Sequence, residues 1–411
     1  MLIPSERLYK QMNAETASVW FVPTVGETDA AMLVKAPSSV LKAVISGCKL
    51  TVLLGVDRKD SGSFLCTGLQ IFDTPDSPFF VGGVQRHQEE HEALRRILEL
   101  RGSPIYLFDE MNVCVAWSSA SVIEKQAELA LSLMGESQPL YTGGFTREAS
   151  DSIDCFSYSV DERLSHDGAY KIDMRALEPE FHEWTHTKNY FIRYTESAEY
   201  SIAHQDEGEA LEKSIWFSLD SVFPLTLHKR PQVILGEKER ELTDVLCFYP
   251  LGTFLIETKA LSVLQAGFDR SLERKIKGIK KQMKKGIRQL VGAVKAIQRG
   301  DRIMDKTGHE LEFDRSVVPH CIVLASEIFH SGDWSDVQDE LLDAAAETGA
   351  LFNALDVQEF TALLKGSSGK PELLDYNLME RFKLFVKSGS IHIRSRPQSG
   401  TASNGKIQPT P

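Results

Sequence analysis

The chain has 411 residues, of which 42% are hydrophobic and 25% charged, and its net charge is −12. That length suits two globular domains better than one core, and the composition excludes a collagen-like or wholly disordered chain. No apolar run reaches the roughly 18 residues that would span a bilayer.

In chain order, the first residues, MLIPSERLYKQMNAE, lack the basic-then-apolar pattern of an export signal, so a cytoplasmic location is expected. Cys48, Cys66, Cys114, Cys155, Cys247 and Cys321 are widely spaced and form no C-x-x-C pair. They read as buried free thiols, neither a zinc knuckle nor a disulfide framework. LTVLL (50–54), FLCTGLQIF (64–72) and VCVAW (113–117) have the composition of strands. QRHQEEHEALRRILEL (85–100) has helical spacing, a second helix is expected near 120–134, and 135–152 reads as a linker. These predict an N-terminal α/β domain over 1–150 with a sensing or regulatory role.

The second domain is expected over 151–395. FSYSV and YKIDM look like strands, and 178–190 reads as helix or loop. GEALEKSIWFSLD (208–220) is spaced for a helix. Two apolar runs follow, 245–248 and 253–256, separated by Pro250-Leu251-Gly252. A turn there makes them an antiparallel hairpin. A basic helix spans about 271–299, then come a buried strand in VVPHCIVLAS and helices near 336–348 and 357–365. The polar, Pro- and Gly-rich tail 396–411 is expected to be disordered.

The chemistry concentrates in GEKERELTDVLCFYPLGTFLIETKAL (236–261). Asp244 opens one arm of the hairpin, and Glu257 and Lys259 close the other. Residues two apart on a strand share a face, so Glu257 and Lys259 project together with Asp244 opposite them. Two hard carboxylates can hold Mg²⁺ or Mn²⁺ in an oxygen shell, with the Thr258 carbonyl as a further ligand. Such a metal acidifies a bound water for attack on a phosphodiester, and a neighbouring lysine orients that water or stabilises the developing charge.

At these residues the chain resembles the PD-(D/E)xK nuclease superfamily, including the nuclease-related domain proteins, over about 205–330. The resemblance implies an α/β fold: a restriction-endonuclease-like mixed sheet flanked by helices. It implies a metal-dependent nuclease with Asp244 and Glu257 as metal ligands and Lys259 assisting the water, and DNA is the expected substrate. Glu212, with Glu209 behind it, matches the glutamate such proteins carry on the preceding helix, and Gln289 matches the glutamine on the following one. The family's proline before the first acid is replaced by Thr243. The resemblance further implies a homo-oligomer, and a role in bacterial antiviral defence with a partner protein of that system.

Residues 270–299 hold eleven Lys or Arg against Glu273 alone, a local charge of +10 that leaves −22 for the rest. Ile276, Ile279, Met283, Ile287, Leu290, Val294 and Ile297 form an apolar stripe. Lys277, Lys281, Lys284, Arg288 and Lys295 form a second, basic one. Like charges at i,i+4 repel, and the helix offers them almost no acids, so a nucleic-acid backbone is the expected partner.

Two other patterns place histidines four residues apart. His182-Glu183-Trp184-Thr185-His186 matches H-E-x-x-H, which on a helix would make a zinc metalloprotease site; its flanks are polar and aromatic. His87 and His91 read as an exposed helix face. No Walker-type phosphate loop and no G-x-S-x-G occurs. The alternative from another class is a catalytically inactive nucleic-acid-binding or scaffold protein on the same fold.

Overall fold

The computed structural model describes residues 5–24, 30–135, 139–164, 167–192, 197–236, 238–397 and 407–410. The chain is mixed α/β and divides into two compact units. The first comprises Met1–Asn189 with Ser201–Ala203 and Ala266–Ser271; the second holds the remainder. Among the described residues, no helix is long and apolar enough to cross a membrane.

The first unit contains α1 (Glu6–Ala14), β1 (Ser18–Pro23), β2 (Ala30–Lys35), α2 (Ser38–Ile45), β3 (Leu50–Lys59), β4 (Gly62–Ile71) and β5 (Phe79–Gln85). It continues through α3 (Gln88–Leu100), β6 (Gly102–Phe108), β7 (Cys114–Ser121), α4 (Glu124–Gly135), α5 (Arg147–Val160), β8 (Asp173–Leu177), β9 (Glu180–Phe181) and β10 (Thr185–His186). One sheet runs β1-β2-β6-β7-β10 with β9 also on β7, and the other β5-β4-β3-β8.

This moves the domain boundary from 150 to 189. Most of the stretch read as linker and strand is α5, capped by Thr146, whose hydroxyl accepts from the Ala149 N–H. Phe156 on α5 is fully buried over Gly55, Gly68 and Gly82. A β-carbon at those glycines would fall 2.9, 2.8 and 3.1 Å from its ring. The aromatic key therefore belongs to the first unit, and β8 pairs with β3 to extend the same sheet.

The second unit contains β11 (Asn189–Ile192), β12 (Ser197–Tyr200), α6 (Glu207–Leu219), β13 (Leu227–Lys229), β14 (Gln232–Leu235), β15 (Lys238–Glu241), β16 (Val245–Tyr249) and β17 (Gly252–Lys259). Then come α7 (Leu272–Gln298), β18 (Arg302–Met304), β19 (His320–Ala325), α8 (Ser335–Thr348), β20 (Leu351–Asp356), α9 (Val357–Ser367), α10 (Pro371–Ser388), β21 (Arg394–Pro397) and β22 (Ile407–Thr410). Its central sheet runs β13-β16-β17-β19-β20. The first three strands pair antiparallel and the last three parallel. Helix layers cover both faces, which is why β19 is buried along its whole length and β17 up to Glu257. On one face Phe254, Ile256, Ile322, Leu324 and Leu355 pack with residues of α6, α9 and α10. α7 lies on the other.

α10 was not foreseen in the sequence, although Pro371 at its first turn and Gly389 (φ 66°) after its last are ordinary helix boundaries. It is anchored by buried Arg381, which donates to Glu359 at 3.1 Å and to the Ile393 carbonyl at 2.7 Å. In the tail, 398–406 and 411 lie outside the described residues. Residues 407–410, expected to be disordered, instead form β22 on β21, a pairing of backbone groups to which polar composition is no obstacle.

Candidate active site

The hairpin forms as the two apolar runs predict. Val245 faces Ile256 and Tyr249 faces Gly252, with Pro250 and Leu251 making the turn. Asp244 stands one position beyond the last pair and so opposite Glu257. Its Oδ2 accepts from the Thr258 N–H at 2.6 Å and from Thr258 Oγ1 at 2.9 Å. Thr258 thus clamps the Asp244 carboxylate at the end of the neighbouring strand.

Glu257 is buried, and its Oε2 accepts from Lys259 Nζ at 2.7 Å. Burial, then the Asp244 charge, push the Glu257 carboxyl up to about 7, against the pull of Lys259. The pair lies beneath α7 at Gly286. A β-carbon there would come 2.9 Å from Lys259 Cε and 3.5 Å from Glu257 Cβ. A glycine in the middle of a helix costs stability; here it permits the helix to cover the pair.

Glu212 on α6 reaches the same place. The helix is fixed by Asp206, whose side chain accepts from the Glu209 N–H. Glu212 is buried and its Oε2 accepts from Arg230 Nε at 3.0 Å and Nη2 at 2.5 Å. Lys229 Nζ lies 3.7 Å from Oε1, an oxygen that is buried without a hydrogen-bond partner. Burial raises the Glu212 pKa, and Asp244 adds to it against Arg230 and Lys229. Glu209 is turned to Lys213 at 2.7 Å.

Sequence reasoning missed Glu241 and Arg230. Glu241, at the end of β15, is raised by burial, by the charge of Asp244 and by a hydrogen bond shared with it. Its E-x-x-D spacing to Asp244 was the available signal. Arg230 follows β13 with φ 46°, and its N–H donates to the Asp244 carbonyl at 2.8 Å.

Four carboxylates, Glu212, Glu241, Asp244 and Glu257, therefore lie within one another's electrostatic reach, with Arg230, Lys229 and Lys259 as internal counter-charges. Among the described residues, no three acids, histidines or cysteines are gathered as a ready metal cage. Glu212 is turned to Arg230 and Glu257 to Lys259. The donors are hard oxygens of the kind that bind hard divalent cations, and Glu212 Oε1 is buried without a hydrogen-bond partner.

Gln289 is exposed one turn beyond Gly286 and so borders this region on α7. The basic stripe differs from its expected state. Lys284 binds Asp336 at 2.9 Å, Arg288 binds Glu340 at 2.7 Å, and Lys295 binds Glu347. Those acids come from α8, which packs beside α7, so these three cations already have anionic partners. Lys277 and Lys281, with the adjacent Lys285, are exposed and have no ion-pair partner among the described residues.

The H-E-x-x-H segment is not helical. His182 follows β9 and His186 ends β10, both short edge strands on β7. The Trp184 ring instead meets Phe181, 5.3 Å between centroids. Two histidines four apart on extended chain do not share a helix face, which removes the zincin geometry. His91 is buried, with Nε2 2.8 Å from the Gln85 carbonyl, so it is a core group, not the surface residue expected.

All six cysteines are free thiols, buried except for half-buried Cys114. No protein-family model, curated protein or solved structure matches the chain.

Proposed function

We propose that the second unit is a restriction-endonuclease-like domain that hydrolyses phosphodiester bonds of nucleic acid, DNA being the favoured substrate. The observation that carries this reading is the convergence of Asp244, Glu257, Lys259 and Glu212 at the end of one hairpin, with Glu257 held up to about 7. Mg²⁺ or Mn²⁺ bound by Asp244 and Glu257 would acidify a water and offset charge on the phosphate. Thr258 fixes the orientation of Asp244. Lys259, released from Glu257, would hold the attacking water or the phosphoryl oxygen. Gln289 borders the site on α7, and Lys277, Lys281 and Lys285 offer the free positive charge along which a nucleic-acid backbone would lie. Cutting both strands of a duplex calls for two such sites, hence a homo-oligomer. An antiviral role with a partner protein, sensed through the first unit, is the biological setting this reading favours.

The test is nicking of supercoiled plasmid in Mg²⁺ by the wild type, Glu257→Ala and Lys259→Ala. Activity in the wild type alone supports the reading. Equal nicking by all three assigns the activity elsewhere. If the wild type is silent and calorimetry detects no Mn²⁺ binding either, the second reading prevails: an inactive nucleic-acid-binding or scaffold protein. The complete burial of Glu257 and its pairing with Lys259 are the observations on that side.

A further inference from the structure

Among the groups around the carboxylates, Arg230 makes the closest contact to Glu212, and no feature of the nuclease pattern requires it. It stands just after β13, and three contacts tie it to three acids from different elements. Its guanidinium donates twice to Glu212 of α6. Its Nε lies 3.9 Å from Glu241 of β15. Its backbone N–H donates to the carbonyl of Asp244 beside β16. Its φ of 46° lies in the left-handed region, a conformation that costs a non-glycine residue free energy and persists where the surroundings impose it. The two partners differ in freedom. The Glu212 side chain is 4% exposed, whereas that of Arg230 is 47% exposed. A buried carboxylate needs a counter-charge, but the arginine head is already half in water and leaves at little cost.

We propose that Arg230 is the resident counter-cation of the carboxylate cluster, exchanged on Glu212 for a divalent metal ion when one binds. This rests on the metal-dependent reading above and adds to it a positioning residue that sets metal affinity. Without metal, Arg230 keeps Glu212 neutralised and in place. With metal, the ion and the guanidinium compete for the same carboxylate, so the arginine lowers apparent affinity. A residue that merely shaped the site would have the opposite effect on removal.

The experiment is Mn²⁺ titration by calorimetry on the full chain, wild type, Arg230→Gln, Arg230→Gly, Arg230→Lys and Asp244→Asn, with melting temperatures measured with and without Mn²⁺. Arg230→Gly removes the charge and also relieves the left-handed backbone, so it covers the case in which the glutamine variant fails to fold. We expect both neutral variants to bind Mn²⁺ about tenfold more tightly than wild type. They should melt lower without metal and gain more from it, with Arg230→Lys returning toward wild type. Equal or weaker binding by the neutral variants, where Asp244→Asn abolishes wild-type binding, overturns the exchange and leaves the metal site standing. No Mn²⁺ binding by the wild type or either neutral variant removes the metal site itself, and the exchange with it.

Discussion

Replacing Glu257 by glutamine should stabilise the protein above neutral pH while abolishing phosphodiester hydrolysis. The folded-state carboxyl is raised from 4.5 to about 7, first by burial and then by Asp244. A raised carboxyl holds its proton more tightly when folded than when unfolded. The stability it contributes is therefore complete below pH 4.5 and is lost as pH rises to about 7. Across that interval the ionised group costs about 3 kcal/mol, at about 1.4 kcal/mol per pH unit. Glutamine mimics the protonated form at every pH. Wild type and Glu257→Gln should then melt alike at pH 4.5 and diverge at pH 8, the variant higher by several degrees, since each kcal/mol moves a unit of this size by about 2–4 °C. Mn²⁺ at pH 8 should raise the melting temperature of the wild type and not that of the variant. Thermal melts across pH, followed by circular dichroism, measure this. A variant that melts lower than wild type at pH 8, or by the same margin at both pH values, would refute the account of Glu257 as a carboxylate held against its own repulsion.

The other predictions concern the neighbours of that group. Lys259→Met should lower the cleavage rate about 10²–10³-fold, the scale for losing one electrostatic stabiliser, measured in single turnover. Gly286→Ala sets a methyl against Lys259; cleavage should fall at least about tenfold, while the unfolding free energy from urea titration changes by less than about 1 kcal/mol because helix propensity offsets the crowding. Replacing Lys277, Lys281 and Lys285 together by alanine should flatten the salt dependence of oligonucleotide binding by about 3 in log–log slope. The same change at Lys284, Arg288 and Lys295 should flatten it less, because Asp336, Glu340 and Glu347 already neutralise them. Glu340→Gln should cost no more than about 1 kcal/mol and strengthen that binding by freeing Arg288.

What was legible in the sequence is what depends on neighbours along the chain. The hairpin announces itself as two apolar runs around Pro250-Leu251-Gly252, and strand alternation alone places Glu257 and Lys259 on one face. The limits of α6 and α7 follow within a residue or two from apolar spacing. What was not legible depends on partners distant in sequence. Arg230 joins the site because β13 pairs with β16, which sets Lys229 opposite Val245, and because its own backbone takes a left-handed φ that no local pattern demands of an arginine. Gly286 looks like an unfavourable helix residue until the strand beneath it is known. His182 and His186 have the spacing of a helix pair, but the segment gains more by adding edge strands to β7, where backbone groups otherwise unpaired find partners.

The basic helix takes a different meaning in space from the one it has along the chain. Counted along the chain, +10 in thirty residues demands an anion; counted in space, α8 supplies part of it, with Asp336, Glu340 and Glu347 repeating the spacing of Lys284, Arg288 and Lys295 at four and then seven residues. Those pairs hold a crossover helix against α7. The charge left over lies on Lys277, Lys281 and Lys285, which are exposed and have no ion-pair partner among the described residues. A helix that spent its basic residues uniformly on a ligand would have no means of orienting it. Three residues neutralised from within and three left bare confine the free positive charge of this stripe to the first half of α7, up to Lys285 beside Gly286.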